Sequence, residues 1–232
     1  AYVAQYLTFN QMLINIFSFN IIWVFIECLP ILFAVKYGID LWIWLRAVLG
    51  KKGVAILSTV ISLANFGWYA VTANLFASSM IHLANNFGLG LDKGVWAPIL
   101  GTLCVLLGTL IALGGPDVIK GTNRFLVVAL LFVGLIIVGI CFVAVPIRDI
   151  MNVQPAIQEN LTPIERFMMS GEGNVAVAFS WSTQAFVLPR LAKSERSGYW
   201  ATALSYGVVA PFFAATGGVM ALAMFVKTGV YE

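Results

Sequence analysis

Charge is scarce in this chain: aspartate, glutamate, lysine and arginine together make up 10% of its 232 residues, against about 25% in an average soluble domain. Histidine is scarcer still, with His82 alone. There is no His-Glu-x-x-His pair, no phosphate-binding Gly-rich loop ending in Gly-Lys-Ser/Thr, no dinucleotide fingerprint, and no apolar run that holds two carboxylates. These absences exclude the common zinc hydrolase, nucleotide hydrolase and paired-carboxylate designs. No enzyme, no metal site and no nucleic-acid partner is expected. The three cysteines, Cys28, Cys104 and Cys141, all fall within apolar runs. Isolated thiols there read as small packing groups rather than a disulfide framework.

What the sequence has instead is hydrocarbon. Hydrophobic residues reach 61% and mean hydropathy is +0.95, which places the chain in a bilayer. A helix needs roughly 20 apolar residues to cross a hydrocarbon core of about 30 Å. Six runs answer that description: 7–35, 54–83, 96–113, 125–145, 176–188 and 199–226. The expected architecture is an all-α polytopic membrane protein, read as one transmembrane domain over 1–232. The first residue is Ala1, and no basic segment or small-residue cleavage site precedes the first run. The chain therefore reads as a piece of a longer one.

The loops give a direction. Lys36, Arg46, Lys51, Lys52, Lys120, Arg124, Arg190, Lys193 and Arg196, nine of the 13 basic residues, fall on one side of the six-span scheme. By the positive-inside rule that side is cytoplasmic, so both ends lie outside. Gly114, Gly115, Pro116 and Asp117 should break the chain between two spans. The polar stretch 146–173 contains the fragment IERFMM, for which a separate helix lying on the membrane surface is expected. Its Asn160-Leu161-Thr162 sequon is a weak pattern with Pro163 directly behind it.

Polar residues inside the second run divide by angle. At about 100° per residue, Ser58, Asn65, Thr72, Ser79 and Asn86 recur every seven positions and form one stripe. Trp68 projects on the same side. Gly67, Ala70, Asn74 and Ala77 form another face, with Asn74 about 120° from Trp68, which reads as a helix-packing face with Asn74 as interhelical glue. A mid-span Trp beside Asn65 and Thr72 offers a flat ring with donors and acceptors, the equipment for a planar polar ligand; packing is the competing reading. In the fifth run Ser180 to Gln184 crowds hydrogen-bonding side chains into a short span, suggesting local unwinding. Glu27 is a carboxylate within a span, so it is either a proton- or ion-coupling group or a protonated structural acid. Asn20 and Pro30 lie near it. His82 falls near the end of its run and reads as a headgroup or loop contact.

The stretch FAVKYGIDLWIWLRAVLGKKGVAILSTVISLANFGWYAV, residues 33–71, resembles the signature of the nucleobase–cation symporters, the family of cytosine, hydantoin and allantoin permeases. The likeness rests on Lys36-Tyr37-Gly38-Ile39, on Arg46-Ala47 with Gly50, and on Gly67-Trp68-Tyr69; Arg190 to Ser194 resembles the family's basic turn after its sixth helix. The resemblance implies a partial five-helix inverted-repeat transporter fold, with the six runs as family helices two to seven. It implies that Trp68 stacks on the substrate ring. It also implies a second aromatic in the fifth run, for which Trp181 and Ala178 compete, with Gln184 one turn beyond Trp181. The chain departs from the pattern in two places. Thr72 stands where relatives have Gln, and Val187 or Pro189 stands near the place of a family acid.

Cation-coupled symport of a nucleobase-like or hydantoin-like heterocycle by alternating access is the function this implies. Asn65, Trp68, Thr72, Trp181 and Gln184 would contact the substrate. The coupling ion would be Na+ or H+, with no ligand assignable in this chain. An amino-acid or amine permease of the same fold, or a non-transporting intramembrane scaffold, is the alternative.

Overall fold

The computed structural model describes residues 2–156, 161–185 and 189–231. Side chains at Glu27, Ala178, Trp181 and Gln184, and the sequon residue Asn160, lie outside that description. The described residues are 88% helix with no strands among them, in the order α1 (Tyr2–Tyr6), α2 (Phe9–Tyr37), α3 (Leu41–Asn86), α4 (Lys93–Leu113), α5 (Gly115–Ala144), α6 (Ile147–Asn152), α7 (Pro163–Ala185), a 3-10 turn (Pro189–Leu191), α8 (Glu195–Leu204), a π-helical turn (Ser205–Val209) and α9 (Ala210–Thr228). It divides into two compact units, one of Ala1–Trp44 with Leu131–Glu232 and the other of Leu45–Leu130.

Five segments are long and apolar enough to cross a membrane among the described residues: α2, α3, α4, α5 and the path Glu195–Thr228. This is a helical membrane protein by length and composition. The expected fifth span, 176–188, is not among the five. Its residues up to Ala185 belong to α7, which begins at Pro163 and carries Glu165, Arg166 and Glu172 in its first half. IERFMM is therefore not a separate helix but the start of α7. Thr162 explains where that helix begins: the Glu165 carboxylate accepts from the Thr162 N–H (2.7 Å) and hydroxyl (2.8 Å), and the Thr162 hydroxyl oxygen accepts from the Glu165 N–H (3.3 Å). This reciprocal cap satisfies amides that the first helical turn leaves free, and Pro163 behind it suits the first helical position. The unwinding expected at Ser180 to Gln184 is absent too, since α7 stays helical to Ala185.

The basic loops shrink to helix ends. Gly38, with φ 63, stops α2, and the Asp40 carboxylate accepts from the Ile43 N–H at 2.9 Å to start α3. Gly50, at φ 65 and ψ 175, interrupts α3 just before Lys51 and Lys52. The break at Gly114 and Gly115 is a single step: α4 ends at Leu113 and α5 starts at Gly115, with φ 79 there. Lys120 and Arg124 consequently lie within α5 rather than in a loop.

In the first unit, α2 is the axis. Against α7 it runs parallel, because Phe19 meets Gly171 four residues after Asn15 meets Phe167. Against α8 and α9 it runs antiparallel, with Val35 at Gly198, Val24 at Gly207 and Met12 at Gly218. A Cβ at Gly198 would lie 2.6 Å from Val35 Cγ2, and one at Gly218 would lie 2.5 Å from Met12 Sδ. The glycines are there because helices in lipid associate by close packing, with small residues letting backbones approach. Met12, Ile16, Leu7, Ile150 and Leu222 are fully buried around this seam. Cys28 and Cys141 are buried within the helix packing. Cys104 is half-buried and free.

The seam predicts a contrast between two glycines. At Gly171 an added methyl would collide with three atoms of the Phe19 ring, whereas Gly217 has nothing within 4 Å. Gly171→Ala should destabilise by about 1–3 kcal/mol, and Gly217→Ala should change stability by less than about 0.5 kcal/mol or raise it slightly. Thermal unfolding of the two variants in one detergent, followed by circular dichroism, checks the difference.

Candidate functional site

Asn65, Trp68 and Thr72 share one continuous helical stretch of α3 beyond Gly50, so the angular grouping read from the sequence holds. Asn65 is half-buried, Trp68 is 44% exposed and Thr72 is exposed. The Thr72 hydroxyl donates to the Trp68 carbonyl at 2.9 Å. Its one proton is thereby engaged within the helix, a common habit of Ser and Thr in apolar helices. The oxygen keeps lone pairs, so toward a ligand Thr72 can serve as an acceptor. Ser58 and Thr59 behave alike, both donating to the Ala55 carbonyl at 3.0 and 2.9 Å.

The other face of α3 needs correction. Ala73, Ala77 and Ile81 are its buried residues, at helical spacing, while Gly67, Ala70 and Asn74 are exposed. Gly101 of α4 lies against Ala73, where its Cβ would stand 3.6 Å from the Ala73 carbonyl. Asn74 makes no side-chain hydrogen bond among the described residues and so is not interhelical glue here. It lines an open groove of about 510 Å³ with Ala70, Ala73, Ala97, Pro98, Gly101 and Thr102. None of Asn65, Trp68 and Thr72 lines that groove.

The remaining sequence-derived residues, His82 apart, sit in the first unit. Trp181 and Gln184 lie on helical backbone of α7, and Glu27 on helical backbone of α2; their side chains are outside the described set. Pro30 is internal to α2, which continues past it to Tyr37. The Asn20 amide donates to the Ile16 carbonyl at 2.6 Å, within its own helix. His82 is exposed near the end of α3.

Two polar features of this unit were not read from the sequence. The first is an ion pair, Arg190 Nη1 to Asp40 Oδ2 at 3.0 Å, with the side chains 33% and 23% exposed. It ties the turn after α7 to the turn after α2. The second is a polar cluster between α2 and α7. Asn15, fully buried, donates through Nδ2 to the Phe167 carbonyl at 2.7 Å and accepts at Oδ1 from Asn174 Nδ2 at 3.0 Å. Interhelical bonds of this kind in membranes average about 0.6 kcal/mol and reach about 1.7. Asn15 standing within an apolar run was the available signal, and the i, i+4, i+8 spacing of Arg166, Ser170 and Asn174 was its counterpart.

With this geometry in hand, comparison with family models, with characterised proteins and with solved structures finds no match for the chain.

The cap of α7 carries a pH signature. Hydrogen bonds from the Thr162 N–H, then from its hydroxyl, hold the Glu165 carboxyl below its ordinary value of 4.5. A depressed folded pKa means the cap's contribution is complete above the ordinary value and disappears as pH falls through the lowered one. Amides of the first turn of α7 should lose hydrogen-exchange protection over that acid range. Thr162→Ala should move the loss to higher pH, toward 4.5, and Glu165→Gln should make protection there independent of pH.

Proposed function

We propose that this protein is a secondary active transporter that carries a small planar nitrogen heterocycle, nucleobase-like or hydantoin-like, across a membrane by alternating access coupled to Na+ or H+. The observation that carries this reading is the half-exposed indole of Trp68, mid-way along a long apolar helix with Asn65 and Thr72 on the same flank. A ring so positioned supplies a stacking surface, and polar groups beside it can read a ligand's edge. Because the Thr72 proton is engaged by the Trp68 carbonyl, the ligand should offer Thr72 an N–H. The resemblance of residues 33–71 to the nucleobase–cation symporter signature points the same way. The site proposed here rests on Asn65, Trp68 and Thr72 of α3.

Counting α7, which runs parallel to α2, as a sixth crossing beside the five apolar spans, the basic helix ends face the cytoplasm and both ends of the chain lie outside, in a plasma membrane or bacterial inner membrane. The Asp40–Arg190 pair supports one element of that topology, since it joins the turns that follow α2 and α7.

The test is ligand binding by the intact protein in detergent, followed by quenching of tryptophan fluorescence with uracil, cytosine, hydantoin and allantoin. One of these should quench saturably. Trp68→Ala should weaken binding roughly ten- to hundredfold, the scale of about 1–3 kcal/mol for a base stacked on an aromatic ring. Thr72→Val should weaken it about tenfold while Thr72→Ser preserves it. Quenching by amino acids alone would sink the heterocycle reading. Uptake into vesicles that is indifferent to both a sodium and a proton gradient would sink coupled transport.

A further inference from the structure

The polar cluster between α2 and α7 has an imbalance that the transport reading does not use. Its hydrogen-bond directions are fixed by one atom. The Phe167 carbonyl can only accept, so the Asn15 side chain must present its NH₂ there (2.7 Å). Asn15 Oδ1 is then the acceptor for Asn174 Nδ2 at 3.0 Å. The Asn15 amide is thereby used at both ends.

Two other side chains on the same face of α7 are left without partners. Ser170, which is fully buried, has its Oγ enclosed without a hydrogen-bond partner. Arg166, one helical turn before it, has Nε and Nη1 enclosed and without partners as well. Arg166 as a whole is half-buried, so part of its side chain still reaches the surface. Enclosing part of a guanidinium with no counter-charge is costly. The nearest carboxylate in sequence does not relieve it: Glu165 is exposed and engaged by Thr162. Among the described residues the only ion pair is Arg190 with Asp40.

The helix itself adds positive potential of the same sign. Arg166 lies in the first turns of α7, and its own N–H bonds the Thr162 carbonyl at 3.1 Å. A helix N-terminus carries roughly half a positive charge, which disfavours a cation and favours an anion. Arg166 and Ser170, one helical turn apart, thus both hold enclosed donors with no hydrogen-bond or ionic partner among the described residues.

We propose that Arg166 and Ser170 form a binding site for a small monovalent anion, a halide or the carboxylate of a small acid, held beside the Asn15–Asn174 bond. The Arg166 Nε and Nη1 protons and the Ser170 hydroxyl are its donors. A one-atom anion needs little more room than a buried water, about 30 Å³. The site is independent of the heterocycle reading, which rests on α3.

Chloride is the direct probe. With the intact protein in detergent at constant ionic strength, the chloride-35 NMR line should broaden with a saturable component. Arg166→Gln should abolish that component, and Ser170→Ala should weaken it about tenfold through loss of one hydrogen bond to a charged ligand. If Arg166→Gln fails to fold by circular dichroism, Ser170→Ala, a small change, decides. Adding acetate separates the two sources: relief of the broadening assigns the site to carboxylates as well, and persistence assigns it to a halide. No saturable component in the unaltered protein, or one that Ser170→Ala leaves unchanged, overturns the proposal.

Discussion

Glycines set how closely α2 can approach the helices that flank it. Lipid tails are as apolar as leucine, so burying one apolar helix against another gains little from the hydrophobic effect, and contact must come from short-range packing. Gly198, Gly207 and Gly218 face Val35, Val24 and Met12 along α2, and Gly171 receives the Phe19 ring. The spacing fixes the antiparallel register of α2 with the α8–α9 path. That path is also the most enclosed of the candidate spans, at 44% buried. Around it gather the fully buried Leu7, Met12, Ile16 and Leu222. The π-helical turn at Ser205–Val209 contains Gly207, so the backbone irregularity and the close approach coincide.

The second unit follows a different economy. In α3 and α4 only 6% and 0% of the most apolar window is buried, and the apolar side chains face outward along their length. Backbone groups in such helices must be satisfied within the helix, because lipid offers no partners. Hydroxyls follow the same constraint: Thr72, Thr109, Ser58 and Thr59 donate back to carbonyls of their own helix. Trp68 remains free to meet something else because its ring is not consumed by packing.

Much of the fold was legible because bilayer physics leaves a coarse signal. Runs of apolar residues located α2, α4 and the α8–α9 path closely, and Gly114–Gly115 marked a real end. The seven-residue stripe of α3 held because its helix is unbroken after Gly50. Other features were not legible from hydropathy. Helices α3 and α5 begin well before their apolar cores, since capping by Asp40 and the turn at Gly115 act on polar ends that hydropathy ignores. The reading of Asn74 as glue failed because which small residues are buried depends on the partner helix, and Gly101 chose Ala73.

Sequence alone determined that this is a helical membrane protein, because nothing but helices or closed barrels satisfies the backbone in lipid and its runs have helical length. It also determined that Asn65, Trp68 and Thr72 share a flank, since helical angle is a local property. Only the tertiary structure decided that Asn15 bonds Phe167 and Asn174, that Asp40 meets Arg190, and that Arg166 and Ser170 are left with unspent donors. Those pairings span about 150 residues of chain. They depend on where two helices cross, which is set by the summed packing of whole faces and not by any local pattern.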